Sequence, residues 1–269
     1  MLPDFEILSI KISAYGVCVS VGLILMGIVA FLLGRRYKIL FEDILFGELF
    51  SLIGAFIGAH ILYGITYSKE IFNSFSEYFN NQNFNKLLEN LSAYMGGMVF
   101  YGGLIGGLLF GMLYCKLRKI NLENYSDCFA VSIPLFHAFG RIGCFMSGCC
   151  YGIESSFGFT STNAIVSSCN YVNRFPVQLL ESAVNLLIFI TLLILFFKRI
   201  MSNRLIFVYL IIYGIARFFL EFLRGDEYRG IFLFLSTSQW ISLLLIAVSI
   251  IILIMKNNRK KKCYTIGVK

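Results

Sequence analysis

Long apolar stretches alternate with short polar segments along most of this chain. A helix needs about 20 mainly apolar residues to cross the hydrocarbon core of a bilayer, and seven stretches approach or reach that length. We place these spans at residues 14–34, 44–67, 97–115, 127–145, 177–197, 205–223 and 238–255. The pattern predicts an all-α, polytopic membrane protein with about seven transmembrane helices, and residues 1–269 as a single integral membrane domain.

Three polar segments separate or follow these spans. Residues 68–95 are rich in Asn, Ser and Glu and predict an extracytoplasmic loop or small head with short helical pieces. Residues 148–175 contain Ser, Asn and Gly and predict a second extracytoplasmic loop. Residues 256–269 predict a basic cytoplasmic tail.

The charges support a membrane protein and indicate its orientation. Only 14% of the residues are charged, whereas soluble domains carry about 25%. The net charge is +8, but the basic residues cluster at alternate span ends, as the positive-inside rule requires. These clusters are Arg35, Arg36 and Lys38; Lys116, Arg118 and Lys119; Lys198, Arg199 and Arg204; and the tail. We therefore expect the N-terminus outside, the C-terminus in the cytoplasm and no nucleic-acid partner.

An arginine lies inside the fourth predicted span. A charge at the centre of a membrane helix costs about 2.5–3.5 kcal/mol on insertion scales unless it finds a partner or water. Arg141 is flanked by Gly140 and Gly143, and glycines let a ligand or a second helix approach the backbone closely. Two interpretations are open: Arg141 binds a phosphate, or it pairs with a buried acid or reaches the membrane surface.

Three further groups could carry chemistry. Tyr101 lies in a glycine-dense segment with Gly102 and Gly103, which favours either tight helix packing or a cavity that receives the tyrosine hydroxyl. Gln178 and Glu181 lie on one face of the start of the fifth span, where the acid could also simply stabilise the helix start.

The sixth span carries the third group. Arg217 and Glu221 are spaced i,i+4 and can pair within the helix. Arg224 lies about one turn further along the same predicted face. Together with Arg141, these arginines predict an outward-facing basic pocket. Each guanidinium group there could donate two parallel hydrogen bonds to a phosphate.

Three cysteines, Cys144, Cys149 and Cys150, form a C-x4-C-C group. A metal site would need a fourth ligand, and the only histidines are His60 and His137. A disulfide between Cys149 or Cys150 and Cys169 is a second interpretation. Plain packing of small apolar side chains is the one that we favour.

These residues resemble the bacterial prolipoprotein diacylglyceryl transferases over most of the chain. The signature Gly-Arg-x-Gly-Asn-Phe-x-Asn-Gly of that family is similar to Gly140-Arg141-Ile-Gly143-Cys-Phe-x-x-Gly148. The other similar segments are Tyr15-Gly16, Gly96-Gly-Met-Val-Phe-Tyr-Gly-Gly-Leu-Ile-Gly106, Pro176-x-Gln178-Leu-x-Glu181, Arg217-Phe-x-x-Glu221-Phe-x-Arg224-x-Asp226 and Gln239.

Several positions depart from the family pattern. Tyr101 stands where the family has a histidine, Cys144 and Ser147 where it has asparagines, and Cys149 where it has a glutamate. His60 stands where an arginine is common in the second span. The chain thus resembles a divergent branch with a Gly-Cys-Cys-Tyr-Gly signature.

The resemblance implies a transferase of the bacterial cytoplasmic membrane. Its expected reaction moves a diacylglyceryl group from phosphatidylglycerol to the lipobox cysteine thiol of a prolipoprotein and releases glycerol phosphate. Its expected partners are phosphatidylglycerol, the prolipoprotein signal peptide and membrane lipids. The resemblance implies no metal and no organic cofactor, and we expect the thiols of Cys149 and Cys150 to be dispensable.

The resemblance also assigns roles to individual residues. The expected catalytic residues are Tyr101, Arg141 and Arg217. The expected substrate-binding residues are Tyr15, Gly102, Gly103, Gly140, Gly143, Cys144, Gln178, Glu181, Glu221 and Arg224. Two other functions stay open: a related phospholipid-dependent transferase with a different acceptor, and a non-catalytic membrane protein that binds or transports lipid.

Overall fold

The computed structural model describes residues 4–7, 10–95, 100–225 and 231–266. Nine α-helices form most of this part of the chain, which confirms the all-α prediction. Their bounds are α1 Ala14–Gly34, α2 Phe41–Thr66, α3 Ser68–Asn81, α4 Phe84–Met95, α5 Phe100–Leu117, α6 Leu122–Ser147, α7 Val177–Phe197, α8 Leu205–Leu220 and α9 Thr237–Ile266.

Three short antiparallel ribbons accompany the helices. Strands β1 (Asp4–Ile7) and β2 (Ile10–Ser13) pair before α1. Strands β3 (Glu154–Thr160) and β4 (Asn173–Arg174) pair between α6 and α7, and β5 (Ile231–Phe232) and β6 (Leu235–Ser236) pair before α9.

Within the described residues, six helical segments are long and apolar enough to cross a membrane. They cover residues 14–37, 41–66, 122–147, 177–197, 205–223 and 237–258, and a shorter apolar helix covers 102–117. These segments confirm a polytopic membrane protein and lie close to the predicted spans. The start of α6 differs most from the prediction, because the side chain of Asn121 accepts a hydrogen bond from the Asn124 backbone N–H at 3.0 Å and starts the helix earlier.

The chain divides into two compact units, one of residues 34–125 and one of residues 1–33 and 126–269. In the first unit, α2 and α5 pack through glycines. A Cβ atom on Gly58 would lie 2.2 Å from the Gly102 carbonyl oxygen, and one on Gly106 would lie 2.1 Å from the Gly54 carbonyl oxygen. Only glycine fits at such positions, since real Cβ atoms do not approach backbone that closely.

The polar segment of this unit is helical over almost its whole length. Helices α3 and α4 are joined by a salt bridge of 2.5 Å between Lys86 Nζ and Glu77 Oε1. The predicted short helical pieces are therefore two regular helices rather than fragments of a loop.

In the second unit, side-chain caps fix where two helices begin. Asp127 accepts a hydrogen bond from the Leu205 backbone N–H at 3.0 Å, so α6 anchors the start of α8. At the start of α9, Ser236 and Gln239 bond each other's backbone N–H groups at 3.2 and 2.9 Å. This reciprocal arrangement is a capping box, and it gives Gln239 a structural role that the sequence resemblance alone did not specify.

The segment between α6 and α7 is folded against the end of α8. The backbone N–H of Ile153 donates a hydrogen bond to the Leu223 carbonyl at 3.0 Å, and the backbone N–H of Gly225 donates one to the Tyr151 carbonyl at 3.0 Å. The guanidinium of Arg174 lies 4.3 Å from the centre of the Tyr151 ring and donates to the Gly152 carbonyl at 3.3 Å. These contacts hold the chain that follows Arg141 next to the chain that follows Arg217.

Candidate active site

Four charged side chains, three from helices α6, α7 and α8 and one from the 3-10 turn that follows α8, meet inside the second unit. Arg141 of α6 lies 3.0 Å from Glu181 of α7, and Arg217 of α8 lies 3.8 Å from the other oxygen of the same carboxylate. Arg217 also pairs with Glu221 at 2.8 Å, which confirms the predicted i,i+4 pair. Only 2% of the Glu181 side chain is exposed. We call Arg141, Glu181, Arg217 and Glu221 the ion cluster.

The ion cluster balances its own charge, with two guanidinium groups and two carboxylates. Buried ions are tolerated when they are paired, because pairing offsets part of the cost of removing each from water. The sequence predicted a basic pocket; the structure shows arginines paired with buried acids, which is the other interpretation left open for Arg141. Nη1 of Arg217, the atom that faces Glu181 at 3.8 Å, is buried and has no hydrogen-bond partner among the described residues, so its interaction with the acid is electrostatic only.

Arg224 is not on the helical face where it was predicted. Helix α8 ends at Leu220, and residues 221–223 form a 3-10 turn. The backbone at Arg224 is extended and bridges to Gly152. Arg224 therefore lies beside the segment after α6, where its charge acts on Cys150.

Three aromatic residues next to the ion cluster were not among the predicted site residues. The His137 ring stacks on the Tyr213 ring with centroids 5.0 Å apart, and the Tyr209 hydroxyl lies 3.4 Å from His137 Nδ1. Tyr213 is within electrostatic range of Arg141 and Arg217. The available signal was spacing: His137 precedes Arg141, and Tyr213 precedes Arg217, by one helical turn on the same face.

The two glycines beside Arg141 have different surroundings. A Cβ on Gly143 would lie 3.1 Å from both Cys18 and Tyr15, so this glycine allows α1 to approach α6. A Cβ on Gly140 would meet no described atom within 4 Å. Gly143 and Tyr15 thus share a helix contact, whereas Gly140 has no close neighbour among the described residues.

Gln178 and three cysteines lie together at the C-terminal end of α6. Nε2 of Gln178, which is buried, donates to the Cys149 carbonyl at 2.8 Å and so holds the turn in place. Cys144 is buried, while Cys149 and Cys150 are partly buried. Hydrogen bonds with the Cys144 and Cys149 thiols, aided by the charges of Arg224 and Arg141, hold the pKa of Cys150 below its ordinary value. Hydrogen bonds with Cys144 and Cys150 raise the pKa of Cys149.

All seven cysteines in the described part of the chain are free. Cys169, the predicted disulfide partner, is buried, and burial raises the pKa of its thiol. The structure therefore does not contain the disulfide that the sequence left open.

The remaining predicted residues lie in the unit of residues 34–125. Tyr101 is in the first turn of α5, but its side chain is outside the described part of the structure. A Cβ on Gly102 would lie 2.2 Å from the Gly58 carbonyl, and one on Gly103 would lie 3.3 Å from the Ala55 carbonyl. The structure thus supports the packing interpretation of this glycine segment; contact of Gly102, Gly103 or Tyr101 with substrate stays a prediction.

Comparison with known proteins gives a consistent result over nearly the whole chain. Residues 4–255 match the family profile described as prolipoprotein diacylglyceryl transferase. The phosphatidylglycerol–prolipoprotein diacylglyceryl transferase of Clostridium tetani is 34% identical over 262 residues, which cover 96% of this chain and 98% of that protein.

Two other relatives carry the same activity in their names. Phosphatidylglycerol–prolipoprotein diacylglyceryl transferase 2 of Clostridium perfringens is 34% identical over 90% of each chain. The corresponding protein of Streptococcus sanguinis is 30% identical over 95% of each chain. The chain therefore belongs to the prolipoprotein diacylglyceryl transferase family of bacterial membrane enzymes.

Proposed function

We propose that this protein transfers a diacylglyceryl group from phosphatidylglycerol to the lipobox cysteine of a prolipoprotein in the bacterial cytoplasmic membrane. The names of relatives that cover almost the whole chain support this activity. The observation that carries the proposal is the ion cluster, in which Arg141 and Arg217 share the buried carboxylate of Glu181.

The reaction is a displacement at a glycerol carbon. A carbon–sulfur bond forms between the acceptor thiolate and the diacylglyceryl carbon, and the carbon–oxygen bond to phosphate breaks. The bonding electron pair leaves with glycerol phosphate, and the thiol proton is released. The enzyme must therefore stabilise negative charge on the leaving phosphate and make a thiolate available.

The two arginines are suited to the leaving phosphate. Guanidinium groups donate hydrogen bonds to phosphate oxygens in paired geometry, and the buried Nη1 of Arg217, which has no hydrogen-bond partner among the described residues, would donate to a phosphate that reaches it. Glu181 touches both guanidinium groups, so it sets the distance between them before substrate binds. Preorganised charges of this kind favour the transition state without reorganising during the reaction.

The surroundings agree with substrates that arrive within the membrane. The helices that carry the ion cluster, α6, α7 and α8, all belong to segments long and apolar enough to span a bilayer. A Cβ on Gly140, the residue before Arg141, would meet no described atom within 4 Å. We propose that the phospholipid headgroup enters this space while its acyl chains stay in the lipid.

Complementation in bacterial cells tests the proposal. Expression of this chain in cells depleted of their own diacylglyceryl transferase should restore lipid modification of a reporter prolipoprotein, measured by mass spectrometry. The Arg141→Ala variant should reach the membrane but restore no modification. Lys86→Ala, which removes the salt bridge between α3 and α4, is the matched control and should behave like the parent. Unmodified reporter with well-expressed parent protein would contradict the proposal.

A further inference from the structure

Three thiols converge at the end of α6. The sulfur atoms of Cys144, Cys149 and Cys150 all lie within 4.8 Å of one another. In the part of the chain that the structure describes, no fourth Cys, His, Asp or Glu joins this group. We call these three residues the thiol cluster.

The local backbone explains why thiols so close in sequence can point to one place. The N–H of Cys149 donates to the Cys144 carbonyl at 3.1 Å, and the N–H of Gly148 donates to the Phe145 carbonyl at 3.2 Å. With Gly148 at a φ of 71°, these two bonds form a Schellman motif that ends the helix. The motif turns the chain back, so that Cys149 and Cys150 return to the last helical turn that holds Cys144.

Other contacts keep the turn in this shape. The Gln178 side chain holds the Cys149 carbonyl at 2.8 Å. Cys150 has a backbone φ of 54°, a left-handed conformation that residues other than glycine rarely adopt. Such a conformation persists only when the surrounding structure fixes it. The thiol cluster is thus preorganised rather than a chance meeting of flexible side chains.

The spacing fits a thiophilic metal ion. With zinc–sulfur bonds of about 2.3 Å, three sulfurs of a tetrahedral site lie about 3.8 Å apart, so small side-chain rotations would bring the cluster onto one ion. Three thiolates and one divalent cation carry a net negative charge. Arg141 and Arg224 both act electrostatically on Cys150 and would stabilise that charge.

We propose that the thiol cluster is a three-cysteine site for Zn²⁺ or a similar cation, whose fourth position receives the acceptor thiol. Catalytic zinc sites typically combine three protein ligands with one open position, and a thiol that coordinates zinc loses its proton. This inference rests on the proposed function and reverses our expectation that the thiols of Cys149 and Cys150 are dispensable.

The inferred step balances in atoms and electrons. The acceptor thiol binds the metal and releases its proton to solvent. Its sulfur then attacks the diacylglyceryl carbon, the carbon–oxygen bond breaks, and the electron pair leaves with glycerol phosphate beside Arg141 and Arg217. The thioether product is a weaker ligand than a thiolate and leaves the metal, which returns the site to its starting state.

Cobalt titration tests the metal site directly. The full-length protein is purified in detergent, reduced with a phosphine, freed of metal with a chelator and titrated with Co²⁺ alone. We expect about one Co²⁺ per chain, with sulfur-to-cobalt charge-transfer absorption. Cys149→Ser and Cys150→Ser should each weaken binding at least tenfold, whereas Cys169→Ser, a buried cysteine outside the cluster, should not change it. No stoichiometric binding by the parent, or undiminished binding by both serine variants, would overturn the site.

A peptide experiment tests the open fourth position. A lipobox peptide added to the Co²⁺-loaded protein should increase the charge-transfer absorption, while the same peptide with serine in place of its cysteine should not. An unchanged spectrum with the cysteine peptide, at concentrations where the peptide binds, would contradict thiol coordination.

Activity measurements separate failure of this inference from failure of the proposed function. Transfer from phosphatidylglycerol to the peptide should need Zn²⁺ and should be lost in Cys149→Ser and Cys150→Ser. Full activity of the metal-free parent and of both variants would overturn the zinc site and leave the proposed function intact. No transfer by any form, even with Zn²⁺ bound, would instead contradict the proposed function.

Discussion

The seam between α2 and α5 and the neighbourhood of Arg141 are both rich in glycine, yet the glycines do different things. In the seam, a side chain on Gly102 or Gly106 would collide with the backbone of α2. Beside Arg141, a side chain on Gly140 would meet no described atom within 4 Å. Glycine density in a membrane helix therefore does not mark a site by itself; what matters is whether the missing side chain is replaced by protein or by open space.

The two regions also differ in where their ions lie. The seam is closed by backbone contact between Gly54, Gly58, Gly102 and Gly106, and its ion pair, Asp43 with Arg118 at 2.9 Å, joins the start of α2 to the residue after α5. The neighbourhood of Arg141 instead contains four buried or half-buried ions that pair with one another. We infer that the seam provides rigidity and that the ion cluster provides chemistry, and the following variants test that division.

The largest expected effect is that of Arg141→Ala. Loss of a preorganised group that stabilises charge in a transition state typically lowers kcat by about 10²–10³-fold. Arg141→Lys should recover only part of the rate, because an ammonium cannot donate in the paired geometry of a guanidinium. Steady-state transfer rates with purified protein check both. A kcat of Arg141→Ala within a factor of about three of the parent, far less than the expected loss, would remove Arg141 from the mechanism.

Tyr101→Phe tests whether the unit that contains the seam also contributes to catalysis. If the hydroxyl positions substrate through one hydrogen bond, its loss costs about 1–3 kcal/mol, or about tenfold to a hundredfold in rate. We expect a loss in this range at neutral pH. A loss greater than about a thousandfold that is partly rescued by raising the pH would indicate a base, since an unperturbed tyrosine has a pKa near about 10.

Gly106→Ala should act on stability rather than on chemistry. Its new Cβ would lie 2.1 Å from the Gly54 carbonyl oxygen, and overpacking of this kind typically costs about 1–3 kcal/mol. Thermal unfolding in detergent should therefore begin at a lower temperature, while the surviving folded protein keeps the parental KM for phosphatidylglycerol. An unchanged melting temperature would show that the seam tolerates a methyl group and is looser than the contact implies.

Gly140→Ala should give the smallest and most specific effect. The new methyl group meets open space, so the melting temperature should match the parent. Because it would intrude on the substrate, we expect KM for phosphatidylglycerol to rise by less than about tenfold, which corresponds to less than about 1.4 kcal/mol. Gly143→Ala is the matched comparison, since its Cβ would press on Tyr15 and Cys18 and should lower stability. A parental KM in Gly140→Ala would show that lipid, rather than substrate, occupies the space.

Much of the fold could be predicted because bilayer length and hydropathy set the spans. The predicted spans 14–34 and 177–197 agree with α1 and α7. The start of α6 was placed less well, because a cap at Asn121 is a local hydrogen-bond feature that hydropathy does not register. The span 205–223 agrees with the prediction, but its last three residues form a 3-10 turn, which hydropathy does not register either.

The sequence identified several residues of the site but not which of them form ion pairs with one another. Arg141, Glu181 and Arg217 are recognisable as charges in apolar spans, yet only the packing of α6, α7 and α8 shows that one carboxylate serves both arginines. The aromatic neighbours His137 and Tyr213 were missed because aromatic residues are common in membrane helices. The convergence of three thiols depends on the Schellman turn at Gly148, which spacing alone did not reveal.

The most direct test of the central claim is transfer stoichiometry in a reconstituted system. Purified protein in vesicles with phosphatidylglycerol and a lipobox peptide should add one diacylglyceryl group to each modified peptide, measured by mass spectrometry, and release one glycerol phosphate for each. Vesicles made without phosphatidylglycerol, and Arg141→Ala in complete vesicles, should give neither product above background. Modification of the peptide without equal release of glycerol phosphate, or undiminished transfer by Arg141→Ala, would contradict a displacement carried out at the ion cluster.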